Sequence, residues 1–147
     1  MKRIICIGNR YIQSDSAGPC VYDYLKEQNL SQDIEVIDGG LHGIDLLRFI
    51  EGAERVVFVD SIYGFGNSNK VVVMEAKDIV SESVNRYDHS AGLLYLLQIL
   101  PHICEGDIPY IYLVGIEGLP NNDIVKKAAC IAVKIADGVC GDFYHEK

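Results

Sequence analysis

The chain has 147 residues, enough for one domain with a sizeable core, and 49% of them are hydrophobic, which is typical of a globular protein. Its formal net charge of −8 argues against nucleic acid or an anionic membrane as a partner, because phosphate binding needs clustered lysines and arginines. No apolar run approaches the roughly 20 residues of a membrane span, and the N-terminal apolar stretch is too short for a signal peptide. We therefore expect a cytoplasmic protein with no membrane partner.

Strand and helix patterns alternate along the chain. Runs of β-branched residues predict strands, and apolar residues at spacings of three and four predict helices. In chain order the predicted elements are a strand at 3–8, a helix at 16–28, a strand at 34–38, a helix at 44–53, strands at 55–60 and 69–76, a helix at 90–100 closed by Pro101, a strand at 109–116 and a helix at 121–139. Ser14 or Ser16 is expected to cap the first helix, and an asparagine the last.

The segment between the third and fourth strands has no helical pattern. A parallel pair needs a longer crossover, so the fourth strand is predicted to run antiparallel to its neighbour. The whole pattern predicts a single α/β domain over residues 1–147. We expect a three-layer sandwich of the phosphorylase/hydrolase-like kind, with a five-stranded, mostly parallel sheet and one antiparallel strand.

The five cysteines are odd in number and include no C-x-x-C motif, which argues against a disulfide framework or a zinc ribbon. We expect reduced thiols packed as small apolar residues, with Cys6, Cys104 and Cys130 on buried faces. Cys20, near the start of a helix, is expected to be the most reactive.

Acidic residues follow the predicted strands where a site of an open α/β sheet forms, beyond the carboxyl ends. Asp15 lies after strand one, Asp38 at the end of strand two and Asp60 at the end of strand three, and His89 stands at the mouth of the helix that follows strand four. Asp15, Asp60 and His89 together would give two carboxylates and one imidazole with open positions, a set that suits a divalent transition metal. The same acids could instead only cap helices or tie loops.

Two other kinds of site are less well supported. The first loop lacks G-x-G-x-x-G and carries bulky residues where a pyrophosphate needs close backbone approach, which disfavours a nucleotide-binding domain. No G-x-S-x-G elbow occurs, which disfavours a serine hydrolase.

Four segments resemble sequence motifs of the hydrogenase maturation endopeptidases, in the same order and at similar separations. They are IGNRYIQSDSAGP, DGGLHGIDLL, GAERVVFVDSI and DHSAGL, and VGIEG resembles the last strand of that family. The resemblance implies that Asp15, Asp60 and His89 form a metal-binding cleft, with Asp38 nearby. The chain departs from the family at four positions. Ser14 stands where the family has an acid and Ser16 where it has Gly, while Leu41 replaces a Thr and Asp88 a Ser. These departures leave open which hydrogenase or other nickel enzyme is the substrate.

The function that this resemblance implies is that of an endopeptidase. It would remove a C-terminal extension from the nickel-loaded large-subunit precursor of a nickel–iron hydrogenase. The nickel would come with the substrate, other divalent metals could replace it, and no organic cofactor is expected. No Ser or Cys has a nearby base, so we expect a water nucleophile that the metal or Asp38 would help to orient or polarise. Asp38 is the candidate catalytic residue, which would make this an aspartyl-type enzyme. The alternative is a non-catalytic protein that senses or chaperones a metal centre with the same cleft.

Overall fold

A five-stranded sheet forms the middle layer of the molecule. The computed structural model describes residues 1–40, 44–62, 70–76, 78 and 91–138. The strands are β1 Lys2–Ile7, β2 Ile34–Gly40, β3 Arg55–Ile62, β4 Lys70–Glu75 and β5 Tyr110–Glu117. The helices are α1 Ala17–Lys26, α2 Leu47–Ile50, α3 Ala91–Ile103 and α4 Asn122–Ala136. The 3-10 turns Gln13–Asp15 and Ile44–Leu46 precede α1 and α2.

The strands lie side by side in the order β2-β1-β3-β5-β4. The pairs β1/β2, β1/β3 and β3/β5 are parallel, and β4 runs antiparallel to β5, with Lys70 opposite Glu117. The α/β prediction of a mostly parallel sheet with one antiparallel strand is therefore confirmed.

The two faces of the sheet are covered by different helices. Successive side chains of a strand point to opposite faces. Ile4 and Cys6 of β1 accordingly pack in the core beneath α1 and α4, whereas Ile5 and Ile7 pack in the core beneath α2 and α3. Burying each large aliphatic side chain contributes about 1.5–3 kcal/mol. Both faces of the sheet are thus apolar, which gives the three layers.

Of the two helix caps predicted from the sequence, that of α1 is wrong and that of the last helix is right. α1 is preceded by a 3-10 turn, and Ser16 stands at the N-cap position. Its hydroxyl donates to Gln13 O at 2.9 Å and makes no capping hydrogen bond, because the turn brings that carbonyl within reach. The asparagine cap of the last helix is confirmed: Asn121 Oδ1 accepts from Ile124 N at 3.0 Å.

Two predicted ends came too early. Pro101 was expected to close a helix, but it lies inside α3, which continues to Ile103. A proline removes one backbone donor, and the chain still forms a further turn in which Cys104 N donates to Leu100 O at 2.9 Å. β3 was expected to end at Asp60 and instead reaches Ile62, because its pairing with β5 continues to that residue.

Candidate active site

The carboxyl ends of β1, β2 and β3 lie at the same end of the sheet. We call this end the carboxyl edge, and it carries the predicted acids. Asp15 is in the 3-10 turn between β1 and α1 and is only 7% exposed. Its Oδ2 accepts a hydrogen bond from Asn9 N at 3.1 Å, and its backbone oxygen accepts from the same N–H at 2.9 Å. The turn contacts β3, the strand that carries Asp60. Asp15 is therefore held against the middle of the sheet edge.

Two glycines allow this close approach. Gly8 has φ +145°, and a Cβ there would collide with Asp15 O. A Cβ on Gly18, in the first turn of α1, would collide with Ile7 O at the end of β1. Any larger residue would push the turn or the helix off β1, so these glycines fix where the Asp15 carboxylate lies.

Asp60 is fully buried within β3, opposite Gly115 of β5. Its Oδ1 accepts a hydrogen bond from Ser61 N at 2.8 Å. By strand alternation Asp60 lies on the same face as Phe58 and Ile62, the face covered by α2 and α3. Burying a carboxylate costs free energy unless polar or charged groups compensate it. A core made only for stability would have an apolar residue here.

Asp38 lies near the end of β2 and is partly exposed. Its Oδ2 is 3.2 Å from Arg10 Nη2, and its Oδ1 accepts from Gly40 N at 3.4 Å. Arg10 also binds Asp23 of α1, with Nη1 to Oδ2 at 3.0 Å. The hydrogen bond to Asp23, and then that to Asp38, raise the pKa of the Arg10 guanidinium. Arg10 thus joins the loop after β1 to both β2 and α1.

The third predicted metal ligand, His89, lies outside the described residues, as does Asp88. Within the described part of the chain, no group of three His, Cys, Asp or Glu side chains is close enough to hold a metal. What the structure does place is the pair Asp15 and Asp60, buried and at one edge, with the Asp38–Arg10 ion pair beside the β1 loop. That Asp15, Asp60 and His89 bind a metal stays a prediction, and so does the catalytic role of Asp38.

Sequence reasoning missed two residues at this edge. Arg10 has no local signal, because its carboxylate partners are 13 and 28 residues away along the chain. Ser61 is 1% exposed, and its hydroxyl has no hydrogen-bond partner among the described residues. Its place directly after Asp60 in a buried strand was the one available signal.

The described cysteines are free thiols that differ in exposure. Cys6 is buried, and burial raises the pKa of its thiol. Cys104 and Cys20 are half-buried, and burial also raises the pKa of the Cys104 thiol. The prediction that Cys130 is buried is wrong: it lies on the solvent face of α4. Cys140 lies outside the described residues.

Comparison with solved structures places this arrangement among known folds. The hydrogenase maturating endopeptidase HybD from Escherichia coli has a TM-score of 0.72 and 20% identity, over 92% of this chain and 89% of that chain. The [NiFe] hydrogenase maturation protease HybD from Thermococcus kodakarensis has a TM-score of 0.69 and 24% identity, over 96% and 100%. The hydrogenase 2 maturation peptidase from Thaumarchaeota archaeon SCGC_AB-539-E09 has a TM-score of 0.61 and 27% identity, over 94% and 98%.

These likenesses indicate a class of hydrolases, the peptidases of hydrogenase maturation. At the sequence level, the family model described as hydrogenase maturation protease (HycI) matches residues 19–118, well over half of the chain. The chain therefore belongs to the hydrogenase maturation protease family. No curated protein sequence matches it. Among the residues that the structure describes, no helix is both long and apolar enough to cross a membrane.

Proposed function

We propose that the chain is an endopeptidase that removes a C-terminal extension from the large-subunit precursor of a nickel–iron hydrogenase after nickel has entered the precursor. Membership of the hydrogenase maturation protease family supports the reaction and the kind of partner. The observation that carries the proposal is the pair of buried carboxylates, Asp15 and Asp60, at the edge of the sheet where α/β enzymes bind their ligands.

In this proposal the nickel ion is part of the substrate. Asp15 and Asp60 would offer carboxylate oxygens to it, and His89 would add an imidazole nitrogen, a donor that suits nickel. Three protein ligands leave open positions, which the ligands already on the precursor's metal would fill. The cleft therefore gains binding energy mainly from a loaded precursor, which makes the metal a checkpoint for cleavage.

The chemical step we propose is hydrolysis by water. Asp38 would accept a proton from the water as it attacks the carbonyl carbon at the junction of the extension, and the proton would pass to the leaving amine. The ion pair with Arg10 holds the Asp38 carboxylate beside the loop that leads to Asp15. Cys6 is unsuited to act as a nucleophile, because burial raises the pKa of its thiol.

A non-catalytic metal-sensing protein is the second candidate, and one observation favours it. The carboxylate proposed as the base, Asp38, already has an ion-pair partner in Arg10, and Ser14 stands beside Asp15 where the resemblance calls for an acid. A protein of this kind would bind a loaded precursor and leave its length unchanged.

The experiment follows the mass of a nickel-loaded candidate precursor incubated with the wild type or with single variants. Asp15→Asn and Asp60→Asn keep side-chain volume and should abolish cleavage by weakening binding. Asp38→Asn should slow cleavage and leave binding intact. Asp33→Asn is the matched control, because Asp33 is an exposed acid just before the start of β2, at the opposite end of the sheet. This variant should cleave the precursor at the wild-type rate.

The outcomes separate the two candidates. Shortening of the precursor by the wild type, lost in Asp60→Asn, supports the peptidase. Binding of the loaded precursor without any change in its mass supports the sensing protein. Equal cleavage by the wild type and by both buried-carboxylate variants would contradict the proposed cleft.

A further inference from the structure

Large apolar side chains are exposed at both edges of the sheet. Among the described residues, the exposed set at the carboxyl edge is Tyr11, Ile12 and Leu119, with 90%, 50% and 50% of their surface accessible. We call these three the cleft-edge apolar set. Exposed Ile108, 46% accessible, comes just before β5 begins and so lies at the opposite edge.

The cleft-edge apolar set flanks Asp60 on both sides. Tyr11 and Ile12 belong to the loop after β1, and Leu119 belongs to the loop after β5. β3 lies between β1 and β5 in the sheet, so the two loops stand on either side of its end. With neighbouring strands about 4.8 Å apart, the bases of the two loops are about 10 Å from each other. A protein that docks over the end of β3 therefore lies close to both loops.

The loop that presents Tyr11 and Ile12 is fixed in place. Tyr11 N donates to Asn9 Oδ1 at 2.9 Å, and Ile12 N donates to Asn9 O at 3.1 Å. Arg10 anchors the same loop through its ion pairs with carboxylates of β2 and α1. A partner would thus meet apolar side chains on a backbone that is already ordered, which lowers the conformational entropy lost on binding.

Charge at this edge indicates what the partner offers. Among the described residues, the strand ends and loops here carry more acids than bases. The acids are the buried Asp15 and Asp60 and the more exposed Asp38 and Glu117, against Arg10 and Lys70. The chain as a whole has a formal charge of −8. A surface with basic residues around an apolar contact and a bound cation is complementary to this edge and would associate faster for it.

From these observations we infer that the cleft-edge apolar set is the docking surface for the folded part of the hydrogenase precursor around its metal site. The inference rests on the proposed function and adds which residues select the partner. Exposed aromatic side chains next to a site are frequent centres of binding energy in interfaces, and a good one is worth a tenfold change in affinity or more.

The test compares Tyr11→Ser, Ile12→Ser and Leu119→Ser with the wild type on the nickel-loaded candidate precursor. Each variant should lower kcat/KM tenfold or more, with kcat at saturating precursor unchanged, because it removes a docking contact and leaves the carboxylates in place. Ile108→Ser is the matched control at the opposite edge, with nearly the same exposure as Ile12, and should behave as the wild type.

The remaining outcomes are distinct from one another. Cleavage by the wild type with unchanged kcat/KM in all three variants overturns the docking surface and leaves the proposed function standing. If the wild type neither binds nor cleaves the loaded precursor, the proposed function and the docking surface are both overturned. Self-association of the wild type in sedimentation experiments, lost in Tyr11→Ser, would assign the surface to a second copy of this chain and overturn the inference.

Discussion

Gly18→Ala tests whether the close approach of α1 to β1 places Asp15. A Cβ at this position would overlap Ile7 O and lie 2.8 Å from both Ile7 C and Ile7 N. An ordinary Cβ contact lies at 3.4–4 Å, so the start of α1 must move away from Ile7 by at least half an ångström. We expect the turn that carries Asp15 to move with it, because that turn directly precedes α1. Overpacking lowers the free energy of unfolding by about 1–3 kcal/mol. Here the added Cβ meets backbone atoms, which cannot rotate aside, so we expect a loss of about 3 kcal/mol or more.

Gly52→Ala is the matched control for that substitution. Gly52 has φ +85° and no neighbour within 4 Å of an added Cβ, so alanine there adds backbone strain alone, about 1–2 kcal/mol. Urea unfolding followed by circular dichroism gives both free energies of unfolding. Cleavage of the loaded precursor should fall strongly in Gly18→Ala, since a 1 Å displacement of a site group can cost about 100-fold, and be unchanged in Gly52→Ala. Equal stability and equal activity of the two variants would refute the argument.

Two further predictions concern thiols and pH. Cys6→Ser should lower the free energy of unfolding by about 1–3 kcal/mol, because it buries a hydroxyl, whereas Cys130→Ser on the solvent face of α4 should change it by less than about 0.5 kcal/mol; only Cys130 of the two should react with iodoacetamide in the native protein. Hydrogen bonds from Ser31 and then Lys2 lower the pKa of Asp33. Its folded-state pKa is thus below the unfolded value of about 3.9, so its contribution to stability is present above that pH and is lost as the pH falls further. Acid unfolding of Asp33→Asn should accordingly have a shallower pH dependence, and an identical acid limb in the variant would contradict this.

The fold could be predicted from the chain because each element has a strong local signal. β1 and β3 are rich in β-branched residues, and the last helix has an asparagine cap that the structure confirms. The order of the strands could not be predicted in the same way, since pairing joins residues that are far apart in sequence. The antiparallel direction of β4 could be, because the connection before it is too short for a parallel crossover.

The acids of the site could be located for a related reason. Parallel strands end at a common edge, so Asp15 and Asp60 were expected there, and both prove to be buried there. The ion pair of Arg10 with Asp38 depends on tertiary contacts and has no sequence signal. The exposure of Cys130 could have been predicted from the sequence. Lys126 and Lys134 lie four residues before and after it, and this spacing places it on the polar face of α4.

The most direct test of the central claim is the mass of the precursor's C-terminus after incubation with the wild-type protein, with and without nickel in the precursor. A metal checkpoint predicts that the loaded precursor loses its extension and that the nickel-free precursor keeps it under the same conditions. Loss of the extension from both forms at the same rate would contradict the claim that the buried carboxylates of the cleft read the substrate's metal.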